Sequence, residues 1–233
     1  MKNMKSILAI ILVVPFMLIA CNSNKKQINS VKDSNAEPVS NSADVVMPPE
    51  SNAVAYFASG CFWCVEAVFE SVEGVGEVVS GYAGGTASDA NYSDVSNGVT
   101  KHAESVKVFY DSTKVNYSTL LKVFFGSHDP TTLNRQGPDA GTQYRSAIFY
   151  SGDQELSKIK QYIDELYKTG AYPKGSITTE ITPLIAFYDA EDYHQNYERN
   201  NPNQPYIKGV SVPRLNKFKS KYPELLKMGN GNH

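Results

Sequence analysis

The order of strands and helices that begins at Val54 constrains this chain more than any other property. Residues 54–58 read as a strand, and Val65, Val68, Phe69 and Val72 recur at helical spacing as far as Gly74, which predicts a helix over 61–73. Strands over 75–82 and 103–110, a helix over 117–126 and a strand over 144–150 follow. β-α-β-β-α-β is the order of a split β-α-β unit, so the expected fold is α+β: a ferredoxin-like two-layer sandwich with helices on one face of the sheet. A helix over 154–168, a short strand near 178–182, a helix from about Glu191 and a last segment over 212–227 extend this core. Neither an internal repeat nor a linker follows Asn52, so residues 53–233 form one folded domain.

What precedes the domain has a different character. Met1 to Lys5 is basic, Ile7 to Ile19 is apolar, and Leu18-Ile19-Ala20-Cys21 follows, which is the pattern of a secretory signal over 1–20. The apolar stretch is short for a membrane span. Its ending resembles the lipobox of bacterial lipoproteins, in which Cys21 receives a lipid, so the rest of the chain is expected outside the cytoplasm, anchored to a membrane. Residues 21–52 are rich in Asn, Ser and Lys, carry Pro38, Pro48 and Pro49, and lack aliphatic periodicity. They read as a flexible linker, holding the domain on the order of 30 Å from the bilayer.

Composition excludes several function classes. The formal charge is −2 with Lys and Arg scattered along the chain, so a nucleic-acid surface is not expected. Three cysteines are too few for a disulfide framework or a tetrahedral thiolate metal site.

Cys61 and Cys64 are the strongest chemical signal. Position 65 is Val rather than the His that haem attachment needs, and the four histidines lie widely apart, which argues against zinc. A redox pair and two buried structural thiols remain. The expected helix N-terminus at Cys61, with its unpaired N–H groups and positive dipole end, favours a thiolate there, so Cys61 is expected to be the more acidic sulfur. Glu104 shares a strand face with Val106, Val108 and Tyr110. A carboxyl on an apolar face is desolvated and holds its proton toward neutral pH, as a general acid requires. Glu66, in the first helical turn, is a weaker candidate. Phe62 and Trp63 offer aromatic walls to a thioether or methyl group. Tyr82 and Tyr144 adjoin two irregular stretches, 83–101 and 126–143, and can point hydroxyls into a pocket.

Gly60-Cys61-Phe62-Trp63, Gly81-Tyr82-Ala83-Gly84-Gly85, His102-Ala103-Glu104, Asp129-Pro130, Gly141-Thr142-Gln143-Tyr144-Arg145-Ser146 and Ala190-Glu191-Asp192-Tyr193-His194-Gln195 stand in this order. Together they resemble the peptide-methionine (S)-S-oxide reductases, the A-type methionine sulfoxide reductases, over roughly Val54 to Val212. The resemblance implies that Cys61 attacks the sulfoxide sulfur and that Glu104 protonates or hydrogen-bonds its oxygen with Tyr82 and Tyr144. It further implies that Phe62 and Trp63 hold the methyl group and that Asp139 helps position the site. Methionine sulfoxide would be the substrate, a thioredoxin-like dithiol the reductant, the protein a monomer, and no metal, flavin or other cofactor would be needed. Many members carry resolving cysteines near the C-terminus, whereas this chain has none beyond position 64. One branch of the family has a cysteine at that position, which implies a Cys61–Cys64 disulfide.

Two rival readings stay open on the residues alone. An exported thioredoxin-like thiol-disulfide oxidoreductase shares a CxxC at a helix start, but leaves Glu104 and Gln143-Tyr144-Arg145 without a task. A lipid-anchored binding module with an aromatic pocket is the non-enzymatic alternative.

Overall fold

The computed structural model describes residues 52–228. The expected signal segment, Cys21 and most of the linker lie outside them. Strand β1 (Asn52–Ser59) runs into helix α1 (Phe62–Glu70), strand β2 (Val75–Ala83), the short helix α2 (Tyr92–Ser96), strand β3 (Ala103–Asp111) and helix α3 (Tyr117–Ser127). A two-residue hairpin of β4 (Arg135–Gln136) and β5 (Asp139–Ala140) precedes β6 (Ser146–Tyr150), helix α4 (Asp153–Lys168), β7 (Glu180–Pro183) and β8 (Phe187–Asp189). One helical turn, α5 (Tyr197–Asn200), a π-helical segment at Ile207–Ser211, α6 (Val212–Lys221) and a 3-10 turn at Pro223–Leu225 follow.

The main sheet is mixed, in the order β7-β6-β1-β3-β2-β8, antiparallel throughout except between β6 and β7. Alternation puts Phe57, Val106, Val108, Val78 and Ile148 on the face covered by helices, where they meet Val65, Val68, Phe69, Leu120, Leu121 and Phe124. Phe57 stacks on Phe69 and Phe124 at 5.0 and 5.3 Å. Each such fully buried side chain stabilises the fold by about 1.5–3 kcal/mol. The opposite face holds a smaller cluster of Ala58, Ala83, Ala103, Ala147 and Phe149.

The six expected core elements all appear, with shifted ends. The expected 61–73 helix stops at Glu70, and Val72 forms a bridge with Leu226. The last expected core strand begins at Ser146 because Thr142–Tyr144 forms a 3-10 turn. The expected helix from Glu191 is a correction. Gln195 acts there as a strand partner: its side chain accepts from Ser80 N at 2.9 Å and donates to Ser80 O at 3.0 Å. Asn196 then turns left-handed (φ 54°), its N–H donating to the Glu66 carboxylate at 2.6 Å. Anchored to β2 and α1 in this way, the segment makes only a 3-10 turn at Asp192–His194 and the single turn α5.

Candidate active site

The site is built where β1 turns into α1. Gly60 makes that turn at φ +93°, and a Cβ there would lie 2.7 Å from Gln136 of the hairpin, so glycine is required both for the backbone and for the approach of β4. Cys61 is the N-cap of α1, with its sulfur buried beside that of Cys64, and neither is in a disulfide. The Cys61 side chain accepts no capping hydrogen bond. The nearest helix donor, Phe62 N–H, points instead to Glu104 Oε2 at 3.1 Å.

Glu104 is 2% exposed, on the core face of β3 across from Tyr82. Burial pushes its carboxyl up to about 8, with the Asp139 and Cys64 charges adding and the Phe62 N–H opposing. It is therefore a protonated acid at neutral pH, and its position beside the first turn of α1 brings it to Cys61.

The two thiols are buried side by side and perturb each other. Burial raises Cys61 well above the ordinary thiol value, and the adjacent Cys64 and Glu104 add to this. Cys64 is drawn down to about 6, first by the hydrogen bond from Cys61 and further by the Arg214 charge, against the opposing effect of burial. The two thiols therefore titrate as a pair, linked through the hydrogen bond between them.

The aromatic wall is held from several sides. Trp63 stacks on Tyr197 at 3.8 Å and 10°, donates through Nε1 to His194 Nδ1 at 3.2 Å, and meets Tyr206 edge-on. Phe62, fully buried, packs among Trp63, Tyr82 and His194. Tyr144 closes the 3-10 turn before β6, where burial together with the Glu104, Cys61 and Asp139 charges raises its phenol. Asp139, on the hairpin, accepts from Tyr206 Oη at 2.6 Å, and the same hydroxyl lies 3.8 Å from Cys64 Sγ.

Tyr82 departs from its expected role. Its ring is in the core, but its hydroxyl donates to Glu191 Oε2 at 2.8 Å, so it belongs to a brace that also ties Tyr92 N–H to Glu191 Oε1. Tyr92 stands at the site instead: its phenol is pushed up to about 12 by burial and by the Glu104 and Cys61 charges. Sequence reasoning singled out the 83–101 stretch containing Tyr92 but not the residue. Tyr206, His194 and Arg214 were also missed, and each reaches the site only through tertiary packing. Glu66 has a bracing role, accepting from Ser80 Oγ and Asn196 N–H. Among the described residues no His, Cys, Asp and Glu cluster could hold a metal ion.

Paired thiols, a buried proton donor and an aromatic wall on a mixed α/β sheet define a thiol-dependent oxidoreductase. Residues 53–226 match the family model for peptide methionine sulfoxide reductase. A Synechocystis relative named peptide methionine sulfoxide reductase MsrA 2 is 49% identical over 74% of this chain and 81% of its own length. A Nautilia profundicola relative named MsrA is 51% identical over 70% and 92%. Among solved structures, reduced Mxr1 from Saccharomyces cerevisiae shares the fold at TM-score 0.63 and 34% identity, covering 70% of this chain and 92% of its own. Methionine sulfoxide reductase A of Corynebacterium diphtheriae does so at 0.58 and 36%, covering 66% and 77%. The chain belongs to the peptide methionine sulfoxide reductase family, and its activity is the reduction of methionine sulfoxide.

Proposed function

We propose that this enzyme reduces the S epimer of methionine sulfoxide, free or in proteins, with Cys61 as nucleophile, Glu104 as acid and Cys64 as resolving thiol. Cys61 attacks the sulfoxide sulfur as its proton passes along the hydrogen bond to the Cys64 thiolate. Glu104 protonates the sulfoxide oxygen of the resulting adduct, the hydroxyl passes from the methionine sulfur to the Cys61 sulfur as the new S–S bond breaks, methionine leaves with that electron pair, and Cys61 becomes a sulfenic acid. Tyr92 and Tyr144 supply hydroxyls to the sulfoxide oxygen, while Phe62 and Trp63 enclose the methyl group. Cys64 then condenses with the sulfenic acid, water departs, and a Cys61–Cys64 disulfide remains for a thioredoxin-like dithiol to reduce. The observation that carries this reading is the buried, protonated Glu104 bonded to the N–H next to Cys61.

Turnover on resolved sulfoxide epimers tests it. Reduction of S alone, abolished by Cys61→Ser, is expected, and activity on R alone would refute the assignment.

The ferredoxin-like description of the core is supported by the order β6-β1-β3-β2 with crossovers α1 and α3. An exported enzyme anchored through a lipid on Cys21 is the reading the N-terminal sequence supports. Loss of metabolic fatty-acid labelling in Cys21→Ala tests the anchor.

A further inference from the structure

A second approach to the thiol pair lies away from the sulfoxide pocket. A cleft of about 950 Å³ opens between the hairpin and α6, and Cys64 is the one sulfur in its wall. Gln136, Asp139, Arg214 and Lys217 border it, whereas Glu104, Tyr92 and Tyr144 do not. Arg214 is fixed in it, Nε donating to Ser127 O at 2.9 Å and Nη2 to Ser59 Oγ at 3.0 Å, while Nη1 faces the Gly60 turn.

We infer that the reductant dithiol enters through this cleft and attacks the sulfur of Cys64, leaving Cys61 as the departing thiol. The inference rests on the Cys61–Cys64 disulfide proposed above. An attacking thiolate is an anion, and Arg214, Lys217 and Lys221 outnumber Asp129 and Asp139 along the walls. The reductant sulfur bonds to Cys64, the S–S bond breaks, and its electron pair moves to Cys61. The reductant's second thiolate then attacks the mixed disulfide, leaving the reductant oxidised and Cys64 as a thiolate. A weakly acidic thiol is a poor leaving group, which disfavours expulsion of Cys61. Glu104 offsets this, since it is the protonated group beside Cys61 and can deliver its proton as the sulfur departs. The cycle then closes on the reduced thiol pair.

The test uses the full chain oxidised by one equivalent of a methionine sulfoxide peptide, with its intact mass measured to establish the disulfide. A thioredoxin whose second active-site cysteine is serine is added, free thiols are capped with N-ethylmaleimide, and the linked peptide is fragmented between positions 61 and 64. Thioredoxin on Cys64 with maleimide on Cys61 is expected. Thioredoxin on Cys61 overturns the inference alone, whereas an oxidised protein lacking the disulfide overturns the resolving role of Cys64 as well. A side chain filling the cleft gives a second readout. Gly209 borders the cleft and has open space around it, so Gly209→Trp is expected to slow reduction by thioredoxin on the order of tenfold relative to reduction by dithiothreitol. Equal rates for the two reductants in this variant would overturn the entry route.

Discussion

Glu104→Gln separates the two consequences of burying an acid beside a nucleophile. The amide keeps an acceptor for Phe62 N–H but supplies no acidic proton. With a carboxyl at about 8, roughly nine molecules in ten hold the proton at pH 7. Removing a positioned general acid costs about 10²–10⁴ in rate, so kcat/KM is expected to fall at least a hundredfold. Stability should move the other way. A folded value raised above the ordinary 4.5 gives stability that is fully present below 4.5 and lost as pH rises toward 8. At pH 7 the interval amounts to about 3 kcal/mol against the native state. The buried amide recovers only part of it, roughly 1–2 kcal/mol, or about 2–8 °C in Tm for a domain of this size. Methionine production from a dabsylated sulfoxide, followed by chromatography from pH 5 to 10, and thermal melts over the same range measure both. Wild-type rate should decline above about pH 8, and the variant should be flat there; the two melting curves should converge near pH 4. A variant within tenfold of wild-type, or a melting temperature below wild-type at pH 8, would refute the argument.

Three further outcomes follow from the site. Cys64→Ser should release a single methionine per protein and leave a dimedone-reactive sulfenic acid on Cys61, and sustained turnover with thioredoxin would remove Cys64 from the resolving role. Arg214→Met should shift the alkylation of Cys64 by iodoacetamide to higher pH than in the wild-type protein, because the guanidinium charge lowers that thiol, and an unchanged profile would show that the guanidinium does not hold that thiolate. Tyr82→Phe should cost about 1 kcal/mol of stability through its lost bond to Glu191 with little effect on kcat, whereas Tyr92→Phe should lower kcat severalfold; the reverse ranking in steady-state assays would restore Tyr82 to the pocket.

Periodicity made much of the architecture legible. Alternation along β3 marked Glu104 as sharing a face with Val106 and Val108, and the structure buries all three. Helical spacing located α1, and with it the Gly60–Cys64 turn. What stayed hidden depended on partners remote in sequence. No local rule says that Gln195 will imitate a strand beside Ser80, so a helix looked natural there. Tyr82 seemed suited to a pocket because it ends a strand, yet Glu191, more than a hundred residues later, takes its hydroxyl. The surroundings of the thiols were hidden for the same reason: Arg214 beside Cys64 and Glu104 at the first N–H of α1 are both tertiary contributions.

Trp63 is the only tryptophan in the chain, and it lies against Tyr197, His194 and Tyr206 at the thiol pair. The enzyme thus carries a native optical reporter at its own reaction centre. Its emission will register sulfoxide binding, the change from thiolate to disulfide and the arrival of reductant in a stopped-flow cell, and each half-reaction can be timed without attaching a dye.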